Sequence, residues 1–197
     1  MKILIATHNQ GKFKEIREIL LTLPVELLSL VDLGLRENYL ETGEHFETNA
    51  LGKAAFYHAL SGLPTVADDS GIFVEALGNE LGVKTRRFGA GELVSDEEWL
   101  QFFMQRMAGE KNRKARFVCV AAYVNGDSAH TFYGETAGSI AETITAPLQA
   151  GIPLSSVFIP IGKTQVYSEL STPKKNALSH RGKAFGALLQ FLNSLYV

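Results

Sequence analysis

Thr65-Val66-Ala67-Asp68-Asp69-Ser70-Gly71 is the stretch on which the rest of the chain is organised. An apolar run leads into adjacent carboxylates, followed by a small hydroxyl residue and a glycine. Successive side chains of a strand point to opposite faces. Neighbouring aspartates are therefore expected to serve one site only where the strand ends, with Gly71 permitting the turn. The stretch reads as a buried strand that displays Asp68 and Asp69 at its carboxyl end, where open α/β sheets place their ligands. Such a pair suits a hard cation such as magnesium and the activation of a water. A solvated acidic turn would use the same residues.

Upstream, Ile3-Leu4-Ile5-Ala6 has the continuous apolar character of a strand buried on both faces. A helix is expected from about Gly11 to Leu23, with Asn9 as its N-cap and Phe13, Ile16, Ile19, Leu20 and Leu23 on one stripe. The turn Thr7-His8-Asn9-Gln10-Gly11-Lys12 between them is a phosphate-site candidate, because a helix start presents unpaired N–H groups at its positive end. Lys12 is on the disfavoured end of that dipole, which a bound anion would explain. A second strand is expected over Val25 to Leu30, then a loop from Asp32 to Leu40. Glu41-Thr42-Gly43-Glu44-His45-Phe46 opens a helix to about Ser61, closed by Gly62. Asn49 and Lys53 share one face of it.

Downstream, Gly78 to Ala90 reads as a glycine-rich basic loop carrying Lys84, Arg86 and Arg87. Ser95 with Glu98 is a capping box for a helix through Trp99, Phe102, Phe103 and Met107. Ala115 to Val124 and Ala129 to Glu142 read as a hairpin through Asn125-Gly126-Asp127. Val157-Phe158-Ile159 is a short strand, and Gln165 to Leu170 a further extended piece. Ser179 caps a last helix, with His180, Arg181 and Lys183 crowding its positive end.

The chain of 197 residues is expected to form one domain, 1–197, with a large core. A net charge of −2 argues against a broad nucleic-acid-binding face. Cys119, the single cysteine, lies in an apolar run and reads as a core thiol. No signal peptide or membrane span is evident, so the cytoplasm is the default location. The residues thus combine cationic helix starts with a carboxylate pair and an acid-rich loop, a set suited to metal-assisted chemistry on a phosphorylated small molecule.

Four stretches in order resemble the inosine/xanthosine triphosphate pyrophosphatase (Ham1-like) family. Ala6-Thr7-His8-Asn9-Gln10-Gly11-Lys12 with Glu15 is similar to its A-T-x-N-x-x-K start. Glu41-x-Gly43-x-x-Phe46-x-x-Asn49-Ala50-x-x-Lys53-Ala54 resembles its second motif, and Ala67-Asp68-Asp69-Ser70-Gly71, with Leu77-Gly78 and then Gly82-Val83 to Arg87, its acidic centre. Lys175-Asn176-x-x-Ser179-His180-Arg181-Gly182-Lys183-Ala184 resembles its C-terminal signature. The resemblance implies an α/β fold with an elongated mixed β-sheet flanked by helices, in two lobes around a central cleft. It implies a homodimer and magnesium (Mg2+) as cofactor. The implied reaction takes non-standard purine nucleoside triphosphates (ITP, dITP, XTP) to the monophosphate and pyrophosphate. Asp69 would be the base for water and a metal ligand, with Asp68 and Glu41 in the metal environment. Thr7, His8, Asn9, Gln10, Gly11, Lys12, Lys53 and Arg181 would hold the triphosphate, with Ser70 beside it. Asn49 and Arg87 fall within the same motifs. Lys175 and His180, with Arg181, would face the base.

The resemblance breaks at Gly151-Ile152-Pro153-Leu154-Ser155-Ser156-Val157-Phe158, where the family has G-F-G-Y-D-P-x-F. Aromatic faces give way to Ile152 and Leu154, and a carboxylate to Ser155. Stacking and a charged hydrogen-bond partner for the base are both lost. Three readings follow: the family reaction on deaminated purines, the same chemistry with a shifted base preference, or a nucleotide-binding protein whose chemistry has lapsed.

Overall fold

The computed structural model describes residues 1–89 and 94–196. The chain opens with β1 (Lys2–Ile5), α1 (Gln10–Leu20) and β2 (Glu26–Ser29). Ile3, Leu4 and Ile5 have no exposed surface, as the apolar run requires of a strand covered on both faces. α1 ends before Leu23 because Pro24 disfavours helical backbone at the residue ahead of it. After the loop that follows come α2 (Phe46–Ser61) and β3 (Thr65–Val74). Gly62 closes α2 at φ 68°. α3 (Asp96–Arg106) starts on Ser95, and both arms of the capping box with Glu98 are made. β4 (Lys114–Asn125) and β5 (Ser128–Ile140) form the hairpin, with β6 (Phe158–Pro160) at the edge. The strands form one six-stranded sheet in the order β2-β1-β3-β4-β5-β6. β1 pairs in parallel with β2 and β3, and the remaining pairs are antiparallel, so the sheet is mixed.

Two segments differ from expectation. Gln165 to Leu170 is not extended but contains a 3₁₀ turn over Tyr167–Glu169. A short helix, α4 (Thr172–Leu178), precedes Ser179. It begins with Pro173 in its first turn, where the missing N–H costs nothing. Within the basic segment after Gly78, residues Gly82–Arg87 form a 3₁₀ helix; Ala90 lies outside the described residues.

α5 (His180–Tyr196) packs with α1 on one face of β1, β3 and β4, burying Ile3, Ile5, Val66, Cys119 and Phe185. α2 covers the other face over Leu4, Ala67, Val118 and Val120. The far ends of β3 and β4 enter a third core with α3 and β6, around Trp99, Phe103, Phe117 and Phe158. The long central strands thus join a core at one end of the sheet to a two-faced core at the other.

The positions of Asp68 and Asp69 correct the expectation of a strand end. β3 runs unbroken through both, and each pairs with β4, Asp68 opposite Ala121 and Asp69 opposite Val120. They consequently point to opposite faces. What brings them to one place is the neighbour on the other side. β1 stops at Ile5 and meets β3 only through Thr65 and Val66. From Ala67 onward that edge of β3 carries no strand, and both faces open onto the same gap.

Gly71 is correspondingly not a turn residue. It lies within β3, opposite Val118. A methyl group there would sit 2.1 Å from the carbonyl oxygen of Gly82 and 2.7 Å from Thr85 Oγ1. That hydroxyl accepts from the N–H of Ile72 and donates to Gly82 O. Gly71→Ala is expected to push the 82–87 segment off β3 and cost about 1–3 kcal/mol, the usual range for overpacking. A urea-unfolding midpoint equal to that of the parent protein would refute this.

Candidate active site

The site begins where β1 hands over to α1. Asn9 caps the helix: its Oδ1 accepts from Lys12 N at 3.0 Å, while its own N–H donates to Thr7 Oγ1 at 3.2 Å. Its Nδ2 donates to Gly151 O at 2.7 Å, tying this turn to the 149–152 segment. Gly11 is required by that approach, since a methyl there would lie 2.5 Å from Ala150 O. Gln10 and Gly11 begin the helix, and the N–H groups of a first turn have no intrahelical acceptor.

Lys12 Nζ reaches Asp68 Oδ2 at 3.1 Å. The cation at the wrong end of the helix dipole is thus partly answered by a carboxylate of the protein. The same oxygen accepts from Arg181 Nε and Nη2, each at 3.3 Å, and lies 3.8 Å from Cys119 Sγ. Asp68 Oδ1 is buried and, among the described residues, has no hydrogen-bond partner. Burial alone would raise the Asp68 pKa, but Lys12 and Arg181 outweigh it and hold the group ionised, well below the carboxylate range. Arg181 Nη1 meets Glu15 Oε2 at 2.5 Å and Nη2 donates to Ser70 Oγ at 2.8 Å. Arg181 is therefore an internal strut of this face, 3% exposed, rather than a free cation at a helix start.

On the other face, Asp69 is set by Asn49. Asn49 Nδ2 donates to Asp69 Oδ2 at 2.9 Å and to Gly43 O, and its Oδ1 accepts from Gly43 N. Ser70 N donates to Asp69 Oδ1 at 2.8 Å. Each carboxylate oxygen keeps a lone pair for another partner. Burial raises the Asp69 pKa above the ordinary aspartate value, and although Lys12 opposes this, Glu41 adds to it. Lys53 Nζ donates to the carbonyl of Asp68 at 3.0 Å, on the strand edge β1 leaves bare, and ion-pairs with Glu41. Burial would strip the Lys53 proton, but Glu41 and Asp68 hold it on.

Lys175, at the end of α4, closes the third side. Its Nζ lies 2.5 Å from Glu15 Oε1, 3.1 Å from Ser155 Oγ and 3.2 Å from Gln149 Oε1. Burial and the charge of Arg181 lower the Lys175 pKa against the pull of Glu15.

Several expected site residues stand elsewhere. His180 does not present a face to the gap. It is 5% exposed, stacked on Phe117 at 4.5 Å and 9°, and burial with Arg181 alongside keeps it neutral. His8 turns toward α2, where Nε2 lies 2.9 Å from Glu37 O and 3.2 Å from Tyr57 Oη. A cavity of about 390 Å³ lined by His8, Val31, Leu35 and Arg36 includes none of the acids. Leu154 belongs to the core around Trp99, whereas Ile152 is half-buried beside Gly11. The side chain of Arg87 lies outside the described residues.

Gln149 was not picked out in the sequence, and Glu15 appeared there only beside the first motif, with no role assigned. Glu15 is readable in retrospect: Lys12 and Glu15 share a face at a spacing of three. Gln149 has no local signal, because only the fold carries its loop to Lys175.

A model of the Ham1 family matches residues 3–191. The chain is 37% identical over 193 residues to a Leptospira interrogans protein named dITP/XTP pyrophosphatase, covering 98% of each. A protein of the same name from Deinococcus deserti is 38% identical over 95% of this chain and 87% of its own. Among solved structures, the Staphylococcus aureus Ham1 protein superposes with a TM-score of 0.81 at 30% identity, covering 99% of this chain and all of its own. A HAM1 protein from Coxiella burnetii gives 0.82 at 30% identity, over 98% and 99%.

Proposed function

The chain belongs to the Ham1 family and is a nucleoside triphosphate pyrophosphatase, and we propose that it hydrolyses deaminated purine nucleoside triphosphates to the monophosphate and pyrophosphate. The observation that carries the reading is Asp69. It is a carboxylate with raised proton affinity, held by Asn49 and the Ser70 N–H at the bare edge of β3, between Lys12 and Lys53. A base with those properties can take a proton from water near neutral pH.

In this reading the α1 start and Lys12 hold phosphate oxygens, and Lys53 fixes Glu41 and the β3 edge. Asp69 accepts the proton of the water that attacks at the α-β phosphoanhydride. Arg181 acts from beneath, by holding Asp68 and Ser70 in place.

The residues also fit a magnesium ion. Among the described residues no three His, Cys, Asp or Glu form a metal cage. Magnesium, however, takes one or two carboxylates and completes its shell with water and phosphate oxygens. Asp69 and Glu41 would supply the protein's share, and Asp68 Oδ1, on the other face of β3, is a buried acceptor without a partner among the described residues. Bound there, the ion would neutralise phosphate charge and lower the pKa of a coordinated water. The charge balance supports this: Lys12, Lys53, Lys175 and Arg181 already ion-pair with Asp68, Glu41 and Glu15. A polyphosphate brings more negative charge than Lys12, already shared with Asp68, and the α1 start can offset alone.

The same reading makes 1–197 one catalytic unit, working as a homodimer on the cytoplasmic nucleotide pool. Among the described residues no helix is long and apolar enough to cross a membrane. A second reading, a shifted base preference, is favoured by Ser155, whose hydroxyl stands at Lys175 where the family motif has a carboxylate. Pyrophosphate release from ITP, dITP, XTP and the four common triphosphates, with and without magnesium, tests both. Selective turnover of ITP, dITP and XTP is expected. Turnover of other nucleotides would select the second reading. No release from any would overturn both, leaving a nucleotide-binding protein.

A further inference from the structure

The geometry points to Gln149 as the residue that reads the 6-position of a purine, standing between Lys175 and the base. The inference rests on the nucleotide reading above. An ammonium has three donors and no acceptor. Lys175 Nζ donates to Ser155 Oγ and Gln149 Oε1 and ion-pairs with Glu15 Oε1. Lys175 is thus engaged on three sides by groups of the protein. Its effect passes to Gln149, whose carboxamide it orients. Because the ammonium can only donate, the amide oxygen must face it, and the two N–H donors on Nε2 must face away. Among the described residues Nε2 makes no hydrogen bond, and Gln149 is half-exposed.

The loop that carries Gln149 is held on several sides. Gln149 O accepts from Ile152 N at 3.1 Å, closing a turn around Gly151 at φ 79°. Gly151 N donates to Asp96 Oδ2 at 2.5 Å, and Gly151 O accepts from Asn9 Nδ2. The carboxamide is thus fixed relative to the phosphate-site turn. A positioned pair of N–H donors matches a 6-oxo group, as in hypoxanthine or xanthine, and opposes a 6-amino group, which is itself a donor.

The test compares the parent protein with Gln149→Leu and Gln149→Glu on ITP and ATP, using kcat/KM from pyrophosphate release. Gln149→Leu is expected to lower the ITP value about tenfold, the worth of one hydrogen bond, and not to lower the ATP value, whose 6-amino group loses an opposing donor. Gln149→Glu replaces donors by acceptors and should move the ITP:ATP ratio further toward ATP. Equal losses on both nucleotides, or an unchanged ratio, would overturn the assignment. Titration of binding reads the same ratio without turnover, so a protein that releases no pyrophosphate still decides the role of Gln149. In that case equal affinity for ITP and ATP overturns it.

Discussion

Asp69→Asn should reduce pyrophosphate release by about a hundred- to ten-thousandfold, the contribution of a positioned general base. The substitution keeps size and shape and leaves one oxygen, so that either Asn49 Nδ2 or Ser70 N keeps its acceptor while the other, which now donates to a separate carboxylate oxygen, loses it. Nucleotide binding should therefore survive while turnover is lost. The pH profile separates a base from a structural carboxylate. Burial, helped by Glu41, raises the Asp69 pKa. The group is active when deprotonated, so the rate of the parent protein should fall as the pH drops through that raised value. The acid limb should then lie above the ordinary aspartate pKa of about 3.9. Asp68, held low by Lys12 and Arg181, cannot produce that limb. Residual turnover within tenfold of the parent, or an acid limb unchanged in the variant, would remove Asp69 from the role.

Much of this site was legible from residue types alone. The Asn9 cap, the buried Cys119, the hairpin at Gly126-Asp127 and the Ser95 capping box all follow from local rules, and all are present. The error at Asp68 and Asp69 shows where local rules stop. Adjacency in a strand does separate them onto opposite faces, and no turn reunites them. The short length of β1, four residues against ten in β3, leaves the edge bare and makes one site of two faces. That is a difference between strands far apart in sequence, and no window around Gly71 contains it. The partner of the cationic helix starts was hidden for the same reason. Lys12 and Arg181 looked unbalanced because their partner, Asp68, lies 56 and 113 positions away. His180 was set beside the base by the resemblance alone; the start of α5 stacks it on Phe117.

Arg181 is where that hidden pairing should have its largest effect on stability. Arg181→Met keeps most of the volume and removes the charge, leaving Glu15 and Asp68 buried with less compensation. Breaking a buried pair from one side costs about 3–5 kcal/mol, a large part of the 5–15 kcal/mol that holds a typical domain. Urea unfolding at neutral pH should show that loss. Arg181→Lys should fall between, since one ammonium cannot reach Glu15, Asp68 and Ser70 as the guanidinium fork does. The sign of the pH dependence follows from the carboxylates. Both Glu15 and Asp68 have lowered pKa values in the folded protein, against the effect of burial, chiefly because of Arg181 and Lys175 for Glu15, and of Lys12 and Arg181 for Asp68. Their contribution is present above the unfolded values and is lost as the pH falls through the folded ones. Without Arg181 the same groups take up protons at higher pH, so the gap between parent and variant should narrow as the solution is made acid. Adding Glu15→Gln to Arg181→Met removes one stranded charge and should recover part of the loss, a coupling that a double-mutant cycle reads directly. If Arg181→Met lies within 1 kcal/mol of the parent at neutral pH, or the second substitution only adds to the damage, the buried pairing does not hold this face together.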